Sequence, residues 1–144
     1  MAVPEYVVAP FIAWMFAQSI KYSIDGKASS LRGNLRYMYR AGGMPSTHSA
    51  IVSSVVTVVG FREGVNSAIF GVSLLFAAIV IYDAMNVRYS VGQQGEILKK
   101  LIAHDKSLAK EAKSLYVVHG HTLPQTVAGV AIGFLVGLLV YLLH

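Results

Sequence analysis

The sequence predicts an all-α, polytopic membrane protein. It would be a bundle of about four transmembrane helices with a cytoplasmic amphipathic helix, in one domain over residues 1–144. Three observations predict this. Hydrophobic residues make up 55% of the chain and charged residues 13%, against roughly 25% charged in ordinary soluble domains. Mean hydropathy is +0.57. The basic residues gather in two segments between apolar runs, as they do in the cytoplasmic loops of membrane proteins. The net charge of +5 is therefore assigned to a membrane surface and not to nucleic acid. The chain has no cysteine, which excludes disulfide and thiolate chemistry.

The first apolar run covers about Tyr6 to Ile20, with an extension to Ile24. Its start, MAVPEYVVAP, carries Glu5 and no basic segment, so it reads as a retained span rather than a cleaved signal. The second run, His48 to Phe61, is short for a bilayer core, which takes about 20 helical residues. It starts earlier, at Pro45, or is partly re-entrant. The third runs from Val65 to Tyr82 and the fourth from Thr122 to Leu143. Between the third and fourth, Gln93 to Val118 carries Ile97, Leu101, Leu108, Ala112 and Leu115 at helical spacing with lysines between them. That pattern is an amphipathic surface helix, or a solvated helix packed on the spans.

Eleven of the 12 Lys and Arg fall between runs one and two or between runs three and four; Arg62 is the exception. Four spans put both basic segments on one side, which the positive-inside rule makes cytoplasmic. Both termini are then expected on the far side of the membrane, the cytoplasmic membrane if the source is bacterial. In the last run Gly129, Gly133 and Gly137 recur every four residues. Such a stripe lets another helix approach closely, either a span of the same chain or a second copy in a homo-oligomer.

This topology places several polar residues at one depth. Lys21 ends the first span, His48 opens the second, and Asp83 closes the third with Asn86 and Arg88 beyond it. His119 and His121 precede the fourth. Polar groups beside spans are costly and mark functional sites by default. Bland roles also exist: Lys21 as a snorkelling anchor, Asp83 and Arg88 as a structural pair, His48 as a helix cap, His119 as a loop histidine. Ser49, Ser53 and Thr57 step by four and are expected to bond to helix backbone. In AGGMPSTHSA (41–50), Gly42 and Gly43 allow a tight turn and Pro45 suits a first helical turn. The amides near Ser46, Thr47 and His48 would then point at an anion. With Lys21 and Arg88 nearby, the expectation is a phosphate-handling site at the cytoplasmic interface, the phosphate belonging most simply to a lipid.

Pro45-Ser46-Thr47-His48 resembles the Pro-Ser-Gly-His motif of the type 2 phosphatidic acid phosphatase and vanadium haloperoxidase superfamily. The closer resemblance is to its divergent bacterial and plant branch. It is carried by GGMPSTHSA (42–50), YDAMNVRYSVGQQ (82–94), GHTLPQTVAG (120–129) and the AQSIK ending at Lys21. The resemblance implies a phosphohistidine mechanism that needs no metal or other cofactor. By it His121 falls on the nucleophile and His48 on the acid that protonates the leaving alcohol. Lys21, Arg88, Gly43, Ser46 and Thr47 would hold the phosphate, with Asn86 and Gln125 in support. Gln125 stands where the superfamily has an Asp, and Ser114-Leu115 where it has Ser-Arg. Asp83 and Arg88 are the expected replacements for those charges. In a variant arrangement His48, paired with Asp83, is the nucleophile and His121 the acid. The function expected is an integral membrane lipid phosphatase. The alternative is an inactive lipid-phosphate-binding, scaffold or transport protein. A metal at His48, Asp83 and His121 lacks helical HxxxH spacing, and none is expected.

Overall fold

The computed structural model describes residues 4–25, 43–103, 108, 115, 117 and 119–144. The basic residues Lys27, Arg32, Arg36, Arg40, Lys106, Lys110 and Lys113, and most of the expected amphipathic helix beyond Ala103, lie outside the described residues.

Every regular element among the described residues is helical. These are α1 (Glu5–Asp25), α2 (Thr47–Glu63), α3 (Ala68–Tyr82), α4 (Arg88–Ala103) and α5 (Leu123–Leu143). Among the described residues three stretches are long and apolar enough to cross a membrane: Glu5–Ile24, Ala68–Ala103 and Leu123–Leu143. α2 has 17 residues and falls short of them in length. It is the central helix, packed on α5, α1 and α3. Its low hydropathy follows from that position: Ser49, Ser53, Ser54 and Thr57 are buried against protein rather than lipid. Ser54 Oγ donates to the Ile51 carbonyl at 2.7 Å and Thr57 Oγ1 to Ser53 at 2.8 Å, so these hydroxyls are satisfied within the helix.

α1 buries one stripe, Ala9, Ala13 and Ala17, all fully buried. Small residues four apart let its backbone approach the bundle. Lys21 is the next step of that stripe, and this decides where it points.

α5 meets α2 through its glycines. A Cβ on Gly129 would sit 2.3 Å from the Ser46 carbonyl oxygen, on Gly133 2.2 Å from that of Ala50, and on Gly137 2.8 Å from that of Ser54. The stripe is thus occupied by α2 of the same chain, one of the two partners its spacing allowed. A Gly133→Leu change drives a side chain into that backbone and is expected to cost about 1–3 kcal/mol. Gly71 has open space around it, so Gly71→Ala serves as the control, with a shift within about 1 kcal/mol. Unfolding midpoints in detergent check both; equal midpoints would overturn the packing role.

The third run does not end at Tyr82. α3 passes into a five-residue π-helical turn, Asp83–Val87, and continues as α4. The amphipathic helix therefore starts at Arg88, not Gln93, and is joined to the span. Helical structure over Ala68–Ala103 covers 36 residues, about 54 Å at ~1.5 Å per residue. A bilayer core is about 30 Å thick, so the C-terminal part leaves the hydrocarbon or runs obliquely.

At the opposite end of the bundle from Lys21 and His48, Arg62 finds its place. Its Nε lies 2.6 Å from Glu5 Oε1, and its guanidinium lies 4.7 Å from the Tyr141 ring centroid. Tyr6 donates to Glu63 at 2.5 Å, and Phe61 stacks on Tyr141 at 4.9 Å. These contacts join the start of α1 and the ends of α2 and α5, as alternating up-and-down helices require.

Candidate active site at the His48–His121 end

At the other end, α1 finishes, α2 starts, α3 passes into the π-turn and α5 starts. Lys21 is 2% exposed and His121 3% exposed. Lys21 faces the bundle and does not snorkel outward. The His48 and His121 rings lie 6.3 Å apart, centre to centre, edge towards face. The charges of Lys21, Arg88 and Asp83 all act on His48, and those of Lys21 and His48 act on His121. Five of the residues singled out from sequence are thereby brought to one place.

His121 is held on several sides. Its backbone N–H donates to the Ala84 carbonyl at 2.9 Å. The π-turn prepares that carbonyl: the Arg88 N–H bonds to Asp83 O, one residue back from the Ala84 oxygen it would take in an α-helix. Gly120 permits the approach, since a Cβ there would lie 2.2 Å from the Tyr89 nitrogen. His121 Nδ1 lies 3.3 Å from Gln125 Oε1. The same Oε1 accepts the Thr122 N–H at 3.1 Å, so it is an acceptor and Nδ1 carries the proton. In the neutral ring the lone pair is then on Nε2. Burial pushes the His121 imidazole below its ordinary range; the Gln125 bond opposes this, Lys21 and His48 push it down further, and the Gly43 backbone opposes again. The ring is accordingly neutral at pH 7.

The Gly43–Pro45 turn leads into α2. Gly43 has φ 82°, a left-handed conformation that glycine adopts without strain. Ser46 caps α2: its Oγ accepts the Ser49 N–H at 3.3 Å and the Ser49 hydroxyl at 2.9 Å. The Ser46 N–H donates to the Gln125 carbonyl at 2.9 Å. The expected anion site therefore loses the Ser46 amide, which instead ties α2 to α5. The Thr47 and His48 amides open the helix, beyond reach of its own carbonyls.

Asp83 and Arg88 pair at 2.6 Å through Nε, both partly exposed. Asp83 acts on His48, while Gln125 holds His121; the expected substitution of Asp83 for the family's Asp beside His121 is not the arrangement found. Asn86 bonds back to the Tyr82 carbonyl at 3.2 Å and is exposed. His119 pairs with Glu96 at 3.4 Å beside a cavity of about 540 Å³ that Gly120 and Tyr89 also line. Among the described residues two buried polar atoms at this end have no hydrogen-bond partner: His48 Nδ1 and Thr126 Oγ1. Thr126 carries no sequence signal beyond its place in GHTLPQTVAG, and the π-turn carries none. Among the described residues no group of three His, Cys, Asp or Glu could hold a metal ion.

The model of the divergent PAP2 family matches residues 4–136. The chain is 36% identical over 107 residues to the Bacillus subtilis (strain 168) protein named "Uncharacterized membrane protein YuiD", covering 74% of this chain and 67% of that one. No solved structure matches. The match spans the π-turn, both histidines, Gly129 and Gly133, and on it the chain belongs to the divergent PAP2 family of membrane proteins.

Proposed function

We propose that this protein is a membrane phosphatase that hydrolyses a lipid phosphate monoester or diphosphate. The observation that carries the reading is a buried histidine whose Nδ1–H is held by Gln125, beside a buried lysine and a second histidine. His121 Nε2 attacks phosphorus, forming a P–N bond as the P–O bond to the leaving group breaks, a lipid alcohol from a monoester or a lipid phosphate from a diphosphate. His48 gives that oxygen its proton. Water, giving a proton back to His48, then cleaves the P–N bond, releasing phosphate and restoring both histidines. Lys21, the outer edge of the Arg88 guanidinium and the Thr47 and His48 amides neutralise the phosphoryl oxygens. Asp83 holds Arg88 in place for that role. By the positive-inside rule this end faces the cytoplasm and both termini lie on the other side.

A second reading has its own observation. Gln125 cannot stabilise an imidazolium by charge, which favours a protein that binds lipid phosphate without cleaving it. Phosphate release from a panel of lipid monoesters and diphosphates in detergent, with and without chelator, separates the two. Release from at least one lipid, unaffected by chelator, is expected. No release from any of them, with binding retained, would replace the phosphatase by the binder.

A further inference from the structure

A second cavity, about 280 Å³, lies in the far half of the bundle. α2 supplies Val56, Gly60 and Phe61, Phe134 comes from α5, and Val65 and Phe70 come from the entry to α3. Gly60 keeps it open: a Cβ there would lie 3.0 Å from the Phe70 ring. α3 and α5 each pack on α2 and little on one another, so α2 forms the floor of the seam between them.

We propose that this groove receives the end of the hydrocarbon chain of the lipid whose phosphate lies between His48 and His121. This rests on the phosphate-site reading above. Both sites use α2 and α5, and α2 sets the distance between them. From His48 to Val56 is about 12 Å and to Phe61 about 20 Å along the helix axis, at ~1.5 Å per residue. An extended chain advances about 1.25 Å per carbon, from a ~1.52 Å bond and a ~111° angle. Carbons from roughly the tenth to the sixteenth therefore fall at the depth of the groove. At the far end Phe61, which lines the groove, stacks on Tyr141 at 4.9 Å, and Arg62 stands over the same ring in its contact with Glu5. A groove at that depth selects a long single chain.

The test uses hexadecyl phosphate with a photoreactive group on its last carbon, bound to the whole protein in detergent. Labelling is expected at residues 56–70 and near Phe134, and competition by excess hexadecyl phosphate should remove it. Labelling confined to the outer faces of α1 or α4 would overturn the proposal. In a kinetic arm, Val56→Trp fills the groove. It is expected to lower kcat/KM for hexadecyl phosphate relative to octyl phosphate by about tenfold or more, since each buried methylene contributes. Gly60→Leu, filling it from the floor, should do the same. An unchanged ratio in both active variants would also overturn the proposal. Groove labelling without phosphate release would sink the phosphatase and keep the groove; release with labelling elsewhere would do the reverse.

Discussion

His121→Asn is expected to lower phosphate release by about 10³-fold or more, the scale on which a lost nucleophile acts. Asn retains a hydrogen-bonding side chain beside Gln125 and has nothing to form a P–N bond. Denaturation soon after mixing with substrate should trap phosphate on His121 in the unaltered protein and none in the variant. Phosphate trapped on His48 instead would reverse the two roles and favour the arrangement in which Asp83 serves the nucleophile. The pH profile carries the same assignment. The His121 pKa is lowered below 6.5, chiefly by burial. The nucleophile is the neutral ring, so on the acid side activity falls as the pH drops through that lowered value, while loss of the His48 proton lowers it on the alkaline side. An acid limb centred above 6.5 would contradict His121 as the group that must lose its proton.

Lys21→Met is expected to reduce kcat/KM by about 10²–10³-fold, the order found on removing one electrostatic donor from a transition state. A surface lysine of the same span end would give almost nothing. Lys21 is 2% exposed, and its charge acts on both histidines. The variant should also move the acid limb to higher pH, because one of the influences that lowers the His121 pKa is removed. Lys21→Arg should recover part of the rate. Loss of activity with no shift of the limb would place Lys21 outside the charge environment of His121.

Much of this was legible in the chain. Apolar runs separated by basic segments define spans, because lipid excludes charge and a helix needs a set length to cross. The same topology set Lys21, His48, Asp83, Arg88 and His121 at one end. The motif blocks point to the divergent family. The spacing of Gly129, Gly133 and Gly137 required a close helix, though not a particular one.

What only the tertiary structure decided are the pairings across helices. A stripe of alanines identifies a packed face, but Lys21 becomes an inward-facing cation only when that face meets α2. Hydropathy undervalued α2 because it measures a helix against lipid, whereas this helix is surrounded by protein. The exchange of Asp for Gln125 predicts a charge supplied by Asp83. The fold instead gave Asp83 to Arg88 and held His121 with the amide oxygen that also caps α5. The π-turn that frees the Ala84 carbonyl for His121 depends on a contact between residues far apart in sequence, and no local propensity encodes it. Composition and periodicity act along one chain segment at a time, so by itself the sequence determined the membrane, the ends and the family. Contacts between segments, set by close packing, decided which group holds which.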